Sequence, residues 1–110
     1  MEAVMLIEQV GALGHPILRQ RSNLAVWTRR FVTRLLFDGS RAVGVEVARG
    51  VGGRGGVDRL TAGEVILAGG AFNSPQLMQL SGLGPAALLR EHGIAVLADM
   101  QGVGADLQDH

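Results

Sequence analysis

Residues 64–84 constrain the fold of this 110-residue chain more than any other stretch. They begin with the short apolar run Val-Ile-Leu-Ala, and two glycines follow at once. A run so short and so rich in β-branched residues is typical of a buried parallel strand, and the glycines indicate a tight turn. Ser74 and Pro75 then predict a helix start, because serine is a preferred N-cap and proline fits the first helical position. The stretch therefore predicts a strand, a turn and a helix.

An antiparallel β-meander is predicted upstream of this stretch. Residues 31–37 alternate between apolar and polar side chains, and Asp38-Gly39 is a favoured hairpin dipeptide. Residues 42–47 return antiparallel, and residues 58–62 rejoin the sheet. The glycine-rich run 50–56 is interpreted as a hairpin tip rather than a phosphate loop, because no Lys-Ser or Lys-Thr pair follows it.

The remaining segments carry weaker patterns. The apolar residues between Val4 and Leu13 are spaced as in a short helix that Gly11 or Gly14 would stop. The other predicted elements are a strand over 24–26, a helix over 85–91 that ends at His92-Gly93, a strand over 94–97 and a loop over 102–110. Together these elements predict an α/β chain that includes an antiparallel meander.

Composition excludes several classes of function. Hydrophobic residues make up 47% of the chain and charged residues 18%, which permits a core and argues against disorder. The ten basic residues balance the ten acidic ones, so no overall field attracts nucleic acid. The chain has no cysteine, and no apolar run reaches membrane-spanning length. We therefore expect a cytoplasmic location, with no nucleic-acid partner, no membrane span and no metal site.

Four segments of the chain carry a family resemblance. Residues 70–84, GAFNSPQLMQLSGLG, resemble the second signature of the glucose–methanol–choline family of flavin oxidoreductases. Residues 102–110, GVGADLQDH, are similar to a further family segment, as are 23–26 and 41–46. The resemblance implies that residues 23–110 are part of an FAD-binding domain of the two-dinucleotide Rossmann type, incomplete at both ends. Residues 1–22 are then a divergent lead-in.

The resemblance also implies a cofactor site. FAD is the expected cofactor, and the strand-to-helix turn formed by Ala68, Gly69, Gly70 and Ala71 is expected near its adenosine half. The matching valine of the meander is Val32, whose backbone would face the adenine edge. An ordinary strand valine is the alternative interpretation of that residue.

No catalytic residue is expected within the chain, because the family's catalytic histidine lies in a later segment. The histidines present are His15, His92 and His110. We expect His92 to be a cation at the end of a helix, and His110 has a supporting role at most. Asp106 departs from the family pattern, which usually has asparagine there.

Residues 82–87 also fit a dinucleotide fingerprint that ends in alanine. That fingerprint needs a strand before it and an acidic residue about twenty positions later. Here a helix is predicted before it, and Asp99 and Asp106 are expected in a loop. The segment is better interpreted as a turn between helices in which glycine provides φ > 0.

The expected function is the oxidation of CH–OH groups, with choline or another small alcohol as substrate. Because the family's glycine fingerprint and catalytic segment fall outside these residues, the chain alone is expected to be inactive and to hold FAD weakly. A non-catalytic remnant, or a module that self-associates through exposed sheet edges, is the alternative.

Overall fold

The computed structural model describes residues 3–7, 24–27, 29–50 and 54–108, and for residues 3–7 it describes only the backbone. The strands are β1 (Ala3–Ile7), β2 (Arg30–Asp38), β3 (Arg41–Arg49), β4 (Val57–Thr61), β5 (Glu64–Ala68), β6 (Leu83–Gly84) and β7 (Ala98–Asp99). The helices are α1 (Gly70–Leu80) and α2 (Ala86–Glu91). The antiparallel sheet has the order β2-β3-β4, whereas β1-β5 and β6-β7 are parallel pairs. The prediction of an α/β chain with a meander is confirmed.

The hairpin of β2 and β3 forms where the sequence predicts it. Asp38 pairs with Arg41, so that Gly39 and Ser40 are the two loop residues. Gly39 has φ +60°, as the first central residue of a type II′ turn requires. Strand β4 then pairs with β3, with Leu60 opposite Val45.

Alternation along β3 separates an apolar face from a charged face. Leu35, Val45 and Val47 form the buried centre of the apolar face. Half-buried side chains from the rest of the chain pack around it: Val32, Phe37, Leu60, Ala62, Val65, Leu67, Leu77 and Leu83. On the charged face Glu46 lies between Arg34 and Arg59, with nitrogen-to-oxygen distances of 3.6 and 3.9 Å. The meander therefore presents one side to β5 and α1 and the other to solvent.

The glycine-rich segment connects β3 to β4, as predicted. The Arg49 N–H donates to the Gly56 carbonyl at 2.9 Å, and the Gly55 N–H donates to the Arg49 carbonyl at 2.9 Å. Residues 51–53 lie outside the described residues. Because a strand and not a helix follows, the phosphate-loop geometry is absent from the described part of this segment.

Helix α2 and the irregular segment after β7 confirm two further predictions. Pro85 is the cap residue before α2, and the helix ends at His92, followed by Gly93 with φ +72°. Residues 100–108 contain turns and irregular backbone but no helix or strand. The loop prediction is thus confirmed up to residue 108.

Three of the predicted helices and strands are wrong. Residues 3–7 form a strand rather than a helix, because they pair in parallel with β5, a partner distant in sequence. Residues 24–26 form no strand. Residues 94–97 form none either; the short strand falls at Ala98–Asp99, because the N–H groups of Leu97 and Ala98 both turn to the Gly82 carbonyl, at 2.8 and 3.1 Å.

Candidate functional site

The turn between β5 and α1 is tighter than the sequence predicts. Strand β5 ends at Ala68, Gly69 is the cap residue with φ −88°, and α1 begins at Gly70 with φ +94°. A positive φ of this size suits only glycine, so Gly70 lets the chain enter the helix immediately after the strand. The predicted helix start at Ser74 and Pro75 is therefore wrong, and Pro75 lies inside the helix.

Ser74 does not cap the helix, but it still organises the turn. Its hydroxyl oxygen accepts a hydrogen bond from the Gly69 N–H at 2.9 Å, reaching back from inside α1. Among the residues that the structure describes, no side chain caps the first turn of the helix. The Gly69 N–H is thereby occupied within the chain, whereas the N–H groups of the first helical turn receive no side-chain cap from the described residues.

The electrostatics of this end of α1 suit a polar or anionic ligand. The first helical turn contains no acidic residue. Its N–H groups have no partners within the helix, and the helix dipole adds partial positive charge there. Ala68, Gly70 and Ala71 are exposed and Gly69 is half-buried. The sequence-predicted turn residues therefore lie together, with accessible backbone.

Val32 lies in β2, which belongs to a different sheet from β5, the strand that leads into these four residues. It pairs with Val47 beside an irregularity in the β2–β3 ladder, and its half-buried side chain packs on the same apolar cluster as Val65 and Leu67. Strand β2 is an outer strand in the sheet order. The structure thus joins Val32 to β5 through a shared core, without showing direct contact with residues 68–71.

Ser81 fixes the other end of α1, and sequence reasoning missed it. Its hydroxyl donates to the Leu77 carbonyl at 2.7 Å and accepts the Leu35 N–H at 2.8 Å. One hydroxyl therefore closes the last helical turn and occupies a backbone donor of β2. The available signal was a serine at a helix end, where such back-bonding is common, but its partner on β2 is 46 residues away.

Gln79 holds the segment after β7 against the helix. Its side-chain amide donates to the Val103 carbonyl at 3.3 Å. A Cβ atom at Gly104 would lie 2.5 Å from Gln79 Nε2, and one at Gly84 would lie 3.1 Å from Gln79 Cγ. Both glycines therefore permit this close packing.

An open groove of about 520 Å³ runs between α1 and residues 102–107. Its apolar lining comes from Ala71, Phe72, Pro75, Met78, Val103, Ala105 and Leu107. Phe72 is 76% exposed and Leu107 58% exposed. The groove begins at Ala71 and so continues from the candidate cofactor turn.

Residues 82–87 form no dinucleotide-binding element. Helix α1 precedes them, as expected, and Gly82 has φ +95°. Asp99 lies in strand β7 rather than in a loop, and its carboxylate accepts the Ala86 N–H at 2.9 Å. That carboxylate therefore has a structural role at the start of α2. Asp106 lies in irregular backbone with φ +58°.

The remaining candidates add no chemistry to this site. His92 is the exposed residue that ends α2, as predicted, whereas His15 and His110 lie outside the described residues. Within the described ranges, no group of three or more His, Asp or Glu residues is arranged to hold a metal ion. No helix there is long and apolar enough to cross a membrane.

The family model for GMC oxidoreductases matches residues 12–110. The chain therefore belongs to the GMC oxidoreductase family. It is 49% identical, over 96 residues, to an oxygen-dependent choline dehydrogenase of Staphylococcus haemolyticus, and 45% identical to one from Staphylococcus aureus. Each match covers 87% of this chain but only 16% of the relative's length.

Solved structures show the same fold. Pyridoxine 4-oxidase from Mesorbium loti matches 84% of the chain with a TM-score of 0.74 and 33% identity. An FAD-dependent oxidoreductase from Chaetomium thermophilum matches 80% with a TM-score of 0.74 and 35% identity. The chain covers 17% and 15% of these proteins, respectively. The division into residues 1–22 and 23–110 stays a prediction.

Proposed function

We propose that the chain is part of the FAD-binding domain of an FAD-dependent oxidoreductase that acts on CH–OH groups, with choline or another small alcohol as substrate. The observation that carries the proposal is the turn from β5 into α1, which places an uncapped helix start without acidic residues at the carboxyl end of a parallel strand. Ligands of open α/β sheets bind at such ends. The names of its relatives support this activity. The cysteine-free composition agrees with a cytoplasmic location, which we also propose.

The proposed roles follow the geometry of the turn. The first-turn N–H groups of Gly70 and Ala71 face the nucleotide half of FAD, and Ala68 provides backbone at the strand end. Gly69 allows close approach but gives no donor, since Ser74 holds its N–H. The backbone of Val32 faces the adenine edge.

Bound FAD supplies the hydride acceptor for alcohol oxidation. The residues of this chain bind and orient its nucleotide half. None of the described residues is assigned to proton transfer, which the family resemblance places in a later segment.

A chimera tests the proposal in a complete enzyme. Residues 12–110 replace the matching segment of the S. haemolyticus choline dehydrogenase, and flavin content and choline-dependent oxygen reduction are measured. We expect a flavin-containing chimera that oxidises choline. A colourless, folded chimera would contradict the proposal.

Two glycine substitutions in that chimera distinguish a direct effect on FAD binding from a general effect of backbone strain. Gly70→Ala strains a turn proposed to contact FAD. Gly93→Ala strains a position at the end of α2, where none of the described residues lies within 4 Å of the added Cβ. We expect Gly70→Ala to lower FAD affinity about tenfold, which is roughly 1.4 kcal/mol. Gly93→Ala should leave FAD affinity unchanged. An equal loss of FAD affinity in both variants would show that the turn does not contact FAD.

The isolated chain gives a second test. We expect it to elute from a desalting column without flavin after incubation with excess FAD, and to show no dye reduction with choline. The charge-assisted bonds expected from elsewhere in the family fold contribute roughly 1.5–3 kcal/mol each. Retained flavin together with dye reduction would show the chain to be a complete enzyme.

Self-association is a second candidate function, favoured by the exposed Phe72 and Leu107 along the groove. Sedimentation over a range of concentrations tests it. Phe72→Ser should abolish any dimer, whereas Phe31→Ser, at a side chain that is 70% exposed outside the groove lining, should not. A monomer at all concentrations would exclude this function.

A further inference from the structure

Strand β1 belongs to the fold but not to the family match. The match covers residues 12–110, and β1 is Ala3–Ile7. Its parallel register with β5 is unbroken, from Ala3 opposite Glu64 to Ile7 opposite Ala68. Within the part of the chain that the structure describes, β1 is the sole strand hydrogen-bonded to β5.

We propose that β1 is a self-supplied partner strand, which closes one edge of β5 and keeps that edge from pairing with a parallel strand of a second polypeptide. An open strand edge presents unpaired N–H and C=O groups that accept a strand from another chain. The sequence of β1, AVMLI, has no charge and no proline, so every residue can take part in the pairing with β5. The inference does not depend on FAD binding.

The pairing has the properties of a displaceable contact. Strand β1 has only five residues, and parallel pairs are slightly less stable per residue than antiparallel ones. Its partner is distant in sequence, so forming the pair costs loop-closure entropy. The partner that fits this edge is another short, apolar, uncharged strand in parallel orientation.

Cysteine trapping tests the self-supplied pairing, because the natural chain has no cysteine. Met5 and Ile66 are direct partners in the register of β1 and β5, so their Cα atoms lie about 4.8 Å apart. This distance allows a disulfide. Met5→Cys with Ile66→Cys should give an intramolecular disulfide in dilute solution. The matched pair Met5→Cys with Val65→Cys is one residue out of register and should give at least several-fold less. Equal yields, or disulfide-linked dimers, would overturn the proposal.

A competing strand tests whether β1 blocks the edge. Val4 and Met5 are both replaced by proline, since neighbouring residues direct their N–H groups to opposite sides and one of the two must face β5. A fluorescent peptide with the sequence of residues 1–9 is then titrated into the natural chain and into the variant. We expect binding to the variant to be at least about tenfold tighter, with slower hydrogen exchange at β5 amides. Equal binding to both chains, or none to the variant, would contradict the proposal. A peptide with proline at the same two positions is the control.

Discussion

The meander and the segment that follows it are stabilised in different ways. In the meander, β2 to β4, apolar burial dominates: Val45 is 0% exposed, Val47 3% and Leu35 7%. In the segment from β5 to β6, helix α1 has no buried residue. Its half-buried Leu77 packs on the core, and the polar contacts of Ser74, Gln79 and Ser81 hold the helix together with glycines that allow backbones to approach.

The meander therefore serves as the scaffold, and the segment from β5 to β6 carries the candidate site. A hydrophobic core packs on one face of the meander, and the charged face meets solvent. Helix α1 is instead attached through the half-buried Leu77, through Gln79 and through its two ends, which leaves its first turn and its outer face accessible. The accessible surfaces are the ones assigned above to FAD and to the groove, which agrees with the general rule that functional residues lie on loops and element ends held by a rigid scaffold.

The largest expected effect tests burial. Leu35→Ala removes a buried side chain and should lower the free energy of unfolding by about 3 kcal/mol. Phe72→Ala removes a larger side chain that is 76% exposed and should change it by less than about 0.5 kcal/mol. Urea denaturation monitored by circular dichroism measures both. Similar losses would mean that α1 is as deeply packed as the meander.

A glycine substitution tests the close approaches of the second region. Gly82 has φ +95°, and a Cβ atom added there would lie 2.6 Å from the Ala95 carbonyl oxygen. We therefore expect Gly82→Ala to lower the free energy of unfolding by about 2 kcal/mol. At Gly102 no atom of the described residues lies within 4 Å of an added Cβ. Gly102→Ala should therefore be close to neutral in the same urea experiment. An unaffected Gly82→Ala would show that β6 can move away from residues 95–97 at little cost.

Ser81→Ala tests the hydroxyl that joins the two regions. The substitution leaves the Leu35 N–H and the Leu77 carbonyl without this partner, and we expect a loss of about 1.5 kcal/mol. Ser40→Ala, in the exposed hairpin turn, is the matched control. Hydrogen exchange at the Leu35 amide should accelerate only in Ser81→Ala. If it does not, Ser81 does not protect the edge of β2.

Ser74→Ala should lower the free energy of unfolding by about 1 kcal/mol. The loss of a helix cap has a similar effect, but the reason here is different. The hydroxyl accepts the Gly69 N–H and not a donor of the helix. The Gly69 amide should therefore exchange faster in the variant, while the amides of residues 76–80 should not. Fraying of those residues instead would restore the capping interpretation.

The predictable parts of the fold are those with local causes. The β2–β3 hairpin follows from alternation and one turn dipeptide, and α2 follows from a proline before it and a glycine after it. The strand character of residues 3–7 depends on β5, and the role of Asp99 depends on a helix thirteen residues earlier. Neither partner is visible in a local pattern.

The candidate site divides in the same way. The sequence identifies Ala68 to Ala71 as the turn after a strand, because the apolar run and the glycines are adjacent. It does not give the helix start, because the positive φ of Gly70 depends on how β5 and α1 pack together. The role of Ser81 is not predictable from the sequence, because its hydroxyl accepts the Leu35 N–H only when α1 lies against β2.

The smallest expected effect concerns Asp106, in the segment held by Gln79. Its φ of +58° lies in the left-handed region, which asparagine and glycine tolerate better than most residues and which the family pattern fills with asparagine. Asp106→Asn should therefore raise the free energy of unfolding by about 0.5 kcal/mol. Asp38→Asn makes the same change of charge at a strand residue without positive φ and should give no gain. Equal gains in both variants, measured by urea denaturation at two salt concentrations, would assign the effect to net charge rather than to backbone conformation. A loss in Asp106→Asn alone would show that the carboxylate itself stabilises the loop.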